Sequence, residues 1–266
     1  MRLLVAKTCS ECSEPFDGYE TQDQCWNCKS LIAKEAVEMW RIEALASLPA
    51  LASHEAQHRG LSTEEIHSRM DHVPVEMKRL VPKQTVLSVL DGRVPRHGFG
   101  LIGSTGSGKT SFLATMATSY TLKILGDRLG AVEGIPDPYD PQWHFGIPFG
   151  YRWLSWPTAS VALKSGWKNG EDPLAFMNRY AQPKMLFLDD LGRERVKGSY
   201  TEDYSVSILD KIVDARSRAG LPIFWTSNVS LEDLNGIYGS AFMSRLVSLG
   251  APVLLPKLPD LRLEEL

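Results

Sequence analysis

The chain has 266 residues, 43% hydrophobic and 23% charged, proportions that exclude a disordered or collagen-like chain and suit one large or two unequal globular units. Lys and Arg total 29 against 32 Asp and Glu, a net charge of −3, so no overall basic field argues for duplex DNA binding, although a local basic groove stays open. No apolar run reaches the ~18 residues of a membrane span, and MRLLVAKTCSEC lacks the apolar core of a signal peptide. The expectation is a soluble, cytoplasmic protein with no membrane partner.

Four cysteines come first, as Cys9-x2-Cys12 and Cys25-x2-Cys28 with twelve residues between the pairs. Disulfide scaffolds spread cysteines along a chain and belong to oxidising compartments. Two CxxC turns instead bring four thiolates round one ion. Zn2+ accepts such a tetrahedral set and supplies ordering energy that so short a segment cannot find in its own core. Four cysteines leave no open position, so the metal is structural. The rival reading, a redox pair, needs only one CxxC and a thioredoxin-like context. Residues 29–48 read as a helix, with Ala33, Val37, Trp40, Ala44 and Leu48 at three- and four-residue steps. That stripe packs on the cysteine domain or receives a partner.

Residues 49–82 are rich in Glu, His and Ser, are interrupted by Pro74 and Pro82, and read as a linker. It holds one short helix near 62–70, where Ser62 and Glu65 form a capping-box pattern. His54 and His58 lie at i,i+4 with no third ligand nearby and read as solvated helix-face residues.

The strongest signal is Gly103-Ser104-Thr105-Gly106-Ser107-Gly108-Lys109-Thr110, a complete G-x4-G-K-[ST] match. Residues 98–102 (GFGLI) read as a buried strand entering it and 111–125 as a helix leaving it. Such glycines let backbone N–H groups turn onto phosphates, to which the helix N-terminus adds its positive end. Lys109 is expected to reach the terminal phosphates of ATP, and Thr110 to bind Mg2+. Residues 126–150 read as an insertion ahead of a strand at 151–155.

MLFLDDLG then supplies four apolar residues, two aspartates and a glycine. A fully buried strand is continuously apolar, and α/β sheets bind ligands at the carboxyl ends of their strands. Asp189 is therefore expected on the magnesium. Asp190 is expected to orient or deprotonate the attacking water, from about one methylene further back than the more usual Glu, which predicts slow hydrolysis. An amphipathic helix over 202–218 follows, with Ser205, Ile208, Leu209, Ile212 and Val213 on one side. The strand LPIFW ends in Thr226-Ser227-Asn228, and Asn228 is placed to bond the γ-phosphate or the water. Ser230 reads as the cap of the next helix. Arg245, in GSAFMSRL, is either a solvated helix-end residue or a cation that reaches a neighbouring subunit's nucleotide.

GSTGSGKT, MLFLDDLG, FWTSNVSLEDL and AFMSRL, in this order, resemble the AAA+ ATPases of the DnaC/DnaI/IstB group over roughly residues 72–258. That group comprises loaders of replicative helicases and ATP-dependent transposition helpers. The resemblance implies an α/β AAA+ core, a five-stranded parallel sheet flanked by helices with strands near 98–102, 151–155, 185–189, 221–226 and 252–255. Only 38 residues follow Asn228, too few for a C-terminal helical lid, which the group also lacks. Some loaders carry an N-terminal zinc domain that contacts the helicase, a pattern the four cysteines fit. The group also has an Arg near the end of the 202–218 helix, matched here by Arg216.

The implied domains are 1–48, a small zinc-ribbon-like unit with a partner-binding helix; 49–82, a linker; and 83–266, the ATPase. The implied function is loading of a hexameric replicative helicase, with single-stranded DNA and ATP-dependent self-assembly. The alternatives are an IstB-like helper on duplex DNA, which the cysteine domain disfavours, and a P-loop kinase, which should show an Arg-rich lid.

Overall fold

A computed structural model describes residues 5–11, 13–18, 23–25, 53, 56–57, 59–62, 75–130, 150–164, 172–193 and 204–257. They belong to two compact units, Met1–Pro49 with Leu125–Pro148, and Ala50–Ile124 with Phe149–Leu266. The predicted helices over 29–48 and 62–70, His54, His58, Cys12, Cys28 and most of the 126–150 insertion lie outside the described residues.

In the first unit, β1 (Val5–Thr8) and β2 (Pro15–Gly18) pair antiparallel, Val5 opposite Gly18 and Thr8 opposite Pro15. Cys9 begins the turn between them. Its N–H donates to Glu14 O at 2.9 Å, and its carbonyl accepts from Ser13 N at 3.0 Å. Ser13 is left-handed, with φ of 61°.

In the second unit, α1 (Val75–Leu80) and α2 (Lys83–Leu90) precede β3 (Gly98–Ile102) and α3 (Lys109–Gly130), which belongs to this unit as far as Ile124. Then come β4 (Tyr151–Ser155), α4 (Trp156–Lys164), α5 (Pro173–Ala181) and β5 (Met185–Leu191). The chain continues through α6 (Tyr204–Ala219), β6 (Ile223–Ser227), α7 (Leu231–Tyr238), α8 (Ser240–Leu249) and β7 (Gly250–Leu254). The strands form one parallel sheet in the order β4-β5-β6-β3-β7. All five strands lie within two residues of their predicted positions at each end. Ser230 caps α7 as expected, accepting from Asp233 N at 3.1 Å.

The two sheet faces differ in chemistry. Phe99, Phe224, Phe187 and Trp153 stand side by side on β3, β6, β5 and β4, at centroid distances of 5.2, 4.9 and 5.9 Å. Each such contact adds about 0.5–1.5 kcal/mol beyond burial. α3 covers this aromatic row, Phe112 meeting Phe99 and Tyr120 meeting Tyr151. The opposite face, Leu154, Leu186, Leu188, Ile223 and Trp225, shares a core with the buried stripe Ile208, Leu209, Ile212 and Val213 of α6. Gly100 is required at the centre, because a Cβ there would lie 2.0 Å from the Trp225 ring. The Trp225 indole N–H then donates to Gly250 O at 2.8 Å.

Residues of the second unit ahead of α1 also touch the sheet: Trp153 N donates to Arg59 O at 2.9 Å, and Ala56 and Leu61 are buried.

Arg216, near the end of α6, is wholly buried. Its Nη1 donates to the carbonyls of Tyr180, Ala181 and Pro183 at 3.0, 3.3 and 2.8 Å, and its Nη2 to Pro222 O at 2.7 Å. Burial pulls its pKa down to about 9, leaving it a cation at neutral pH. It fastens the α5–β5 turn to the start of β6 from inside. Arg216→Lys is expected to lower the urea-unfolding free energy by about 2–3 kcal/mol, because one ammonium cannot serve carbonyls spread round a planar fork.

Candidate functional site

Three neighbouring strands, β3, β6 and β5, deliver the site at their carboxyl ends. Beyond β3 the chain makes the Gly103–Thr110 loop, with Gly106 and Gly108 at φ of 77° and 82°, a conformation a side chain would strain. The helix begins at Lys109 rather than 111, so Lys109 and Thr110 occupy its first turn. Thr105, Gly106, Ser107, Gly108, Lys109 and Thr110 line a cleft whose other wall is Asp190, Arg193, Thr226 and Asn228.

Lys109 is buried, and its Nζ donates to Gly103 O at 2.9 Å, Ser104 O at 2.7 Å, Ser107 Oγ at 3.2 Å and Asn228 Oδ1 at 2.8 Å. The ammonium thus ties the loop to the tip of β6. Thr110 Oγ1 donates to Asp189 Oδ1 at 2.9 Å. A hydroxyl and a carboxylate side by side next to a phosphate-type loop are hard oxygen donors that fit Mg2+, which takes few protein ligands and completes its shell elsewhere.

β5 does not run straight past β6. Leu188 pairs with Trp225, but Leu191 pairs with Ser227, and the extra residue is absorbed at Asp189–Asp190. Asp190 takes up the slack in the left-handed region, with φ of 63°. Such bulges re-aim side chains beside active sites. Here the shift lets successive aspartates serve one cleft. Asp189 turns inward, 5% exposed, and accepts from Thr226 Oγ1 at 2.6 Å. The same Thr226 hydroxyl accepts the Asp190 N–H at 2.8 Å.

The Asp190 carboxylate faces the cleft between two donors. Asn228 Nδ2 donates to Oδ1 at 2.5 Å, and Arg193 Nη1 donates to Oδ2 at 2.9 Å. That bond and the charge of Asp190 raise the Arg193 pKa above its ordinary value. Asn228 therefore bridges Lys109 and Asp190 with the two ends of one amide. Ser227 fixes the strand tip, donating to Leu191 O at 2.9 Å.

The structure brings together every predicted nucleotide-site residue except Arg245. Arg245 lies within α8 rather than at its end, and bonds Asp210 Oδ1 at 2.5 Å and Asp214 Oδ1 at 3.5 Å, both on α6. It does not line the cleft. Three contributors were not assigned a role from sequence: Thr226, Ser227 and Arg193. A polar pair ending an apolar strand marks the first two; an Arg directly after DDLG marks the third.

In the other unit, Cys9 is buried and its Sγ accepts from Cys25 N at 3.3 Å, while Ser10 N donates to Asp23 O at 2.9 Å. The first knuckle and the segment opening the second are thus adjacent. Neither Cys9 nor Cys25 is in a disulfide. Among the described residues no group of three or more His, Cys, Asp or Glu gathers in metal-binding fashion. No helix among them is long and apolar enough to cross a membrane.

No family model and no curated protein matches the chain. Solved structures do share its fold. The DnaC helicase loader superposes with a TM-score of 0.51 at 20% identity, over 73% of this chain and 100% of that one. DnaI gives 0.51 at 20% identity, over 76% and 94%. A candidate primosome component from Streptococcus pyogenes serotype M3 gives 0.50 at 20% identity, over 78% and 96%. The likeness is one of fold: a phosphate-loop α/β core built on a five-stranded parallel sheet.

Proposed function

We propose that this chain is an ATP-driven loader of a replicative DNA helicase, acting in the cytoplasm. The observation that carries the reading is the gathering of Lys109, Thr110, Asp189, Asp190 and Asn228 in one cleft, on a fold shared with DnaC and DnaI over nearly their whole length. A solved structure of the same fold is titled a helicase loader, which favours loading over a role as a transposition helper.

In this reading the loop N–H groups and Lys109 hold the phosphates of ATP, and Thr110 and Asp189 hold Mg2+. When bound, Mg2+ neutralises charge on the phosphate oxygens. Asp190 accepts a proton from the attacking water, and Asn228 orients that water or the terminal phosphate. Arg245 serves a neighbouring subunit. Cys9, Cys12, Cys25 and Cys28 hold a structural Zn2+; the contact between Cys9 and Cys25 supports this, since N–H donation to sulfur suits a metal-bound thiolate. This domain grips the helicase, and the ATPase assembly grips single-stranded DNA.

The test is a pull-down of candidate hexameric helicases by the full chain, with and without ATP. Expected are nucleotide-dependent capture, about one zinc per chain by metal analysis, and loss of capture in Cys9→Ser with ATP affinity unchanged. Failure to retain any hexameric helicase under either condition removes the loader reading. A zinc-free chain that still captures one removes only the metal.

A further inference from the structure

Arg193 has no part in the chemistry described so far, yet it stands in the cleft wall with its guanidinium on Asp190. Four side chains form an unbroken line: Lys109 Nζ to Asn228 Oδ1 at 2.8 Å, Asn228 Nδ2 to Asp190 Oδ1 at 2.5 Å, and Arg193 Nη1 to Asp190 Oδ2 at 2.9 Å. Both oxygens of the aspartate are thereby engaged by donors. A carboxylate that already accepts an amide N–H and a charge-assisted guanidinium bond is a poorer acceptor for a proton from water.

The two partners of this ion pair differ in freedom. The Asp190 side chain is only 15% exposed, and its backbone is fixed by the bulge and by Thr226. Arg193 is 63% exposed and lies just beyond Gly192, itself at φ of 84°. The carboxylate stays in place while the cation can leave.

Resting on the reading that this cleft hydrolyses ATP, we propose that Arg193 is a built-in restraint on Asp190, a positioning residue that occupies one carboxylate oxygen and holds the lone chain at low turnover. Drawing Arg193 aside frees that oxygen for the water. The restraint acts on the chemical step, because the Arg193 guanidinium is engaged with Asp190 Oδ2, whereas Lys109 is bonded to the loop carbonyls and Asn228, and Thr110 to Asp189.

Steady-state ATP hydrolysis and the affinity of a fluorescent ATP analogue are measured for the full-length parent, Arg193→Ala and Arg193→Lys. For Arg193→Ala, kcat is expected to rise about two- to fivefold, the range of a partly exposed ion pair, with affinity within about twofold of the parent. Arg193→Lys, which keeps the charge and loses the planar fork, is expected in between. An Arg193→Ala kcat equal to or below that of a hydrolysing parent overturns the restraint and leaves the ATPase reading intact. Loss of nucleotide affinity in Arg193→Ala also overturns it, by making Arg193 a phosphate contact. If parent and Arg193→Ala both bind the analogue and neither turns over ATP, the hydrolysis reading falls and the restraint with it.

Discussion

Lys109→Ala is expected to weaken ATP binding by a hundredfold or more, measured by calorimetry or with a fluorescent analogue. Two losses combine. The ammonium is the cation buried at the base of the loop, and removing a charge-assisted contact to a phosphate costs about 3 kcal/mol, or roughly a factor of a hundred. In addition, Gly103 O, Ser104 O and Asn228 Oδ1 lose the donor that ties the loop to β6. Asp190→Asn should separate binding from chemistry. It keeps the size of the side chain and an acceptor oxygen, and Asn is among the residues that best tolerate a left-handed backbone. ATP affinity should stay near the parent's while turnover falls about 10²–10⁴-fold. A Lys109→Ala chain that binds ATP like the parent would mean the cleft is not the nucleotide site.

Arg245→Ala is expected to lower turnover of the assembled protein by about 10³-fold, the scale of a cation delivered to a transferring phosphoryl group from a neighbouring chain. Within its own chain Arg245 is held on Asp210 and Asp214, away from the cleft. The hold is light, since a partly exposed ion pair contributes at most about 1 kcal/mol. That is small beside the roughly 4 kcal/mol a thousandfold rate change represents. Specific activity should therefore rise with protein concentration and with added single-stranded DNA. Mixing Arg245→Ala with Lys109→Ala chains should recover hydrolysis, because some interfaces then pair an intact loop with an intact Arg245. Unchanged activity of Arg245→Ala, or a parent whose specific activity is flat on dilution, would return Arg245 to a tie between α6 and α8.

What could be read from sequence depended on how local the determining physics was. GFGLI and MLFLDDLG betray buried strands because a strand covered on both faces has no polar position to spare, and the glycine loop is a chemical requirement written in consecutive residues. Asp190 was legible as an acid in the right place, whereas its backbone conformation depends on how β5 registers against β6, information carried by no single segment. Arg216 shows the opposite failure. The resemblance marked it as an Arg near a helix end, but four carbonyls from α5, its following turn and the residue before β6 converge on it only in three dimensions. Arg193 was passed over because its meaning lies in its partner. α3 runs to Gly130, five residues past the predicted end, passing through Gly126 with no Pro to stop it.

The left-handed backbone at Asp190 sets durability against activity at a single position. A non-glycine residue there forgoes of order 1 kcal/mol that glycine would recover. In a domain of this size that corresponds to a few degrees of melting temperature. Selection for heat resistance alone would drift towards Asp190→Gly and produce a hardier protein with an intact phosphate loop and no group to receive the proton. A consensus-driven or thermostability-driven redesign of this chain would therefore need to hold position 190 fixed, since the change that most relaxes β5 is also the one that silences the cleft.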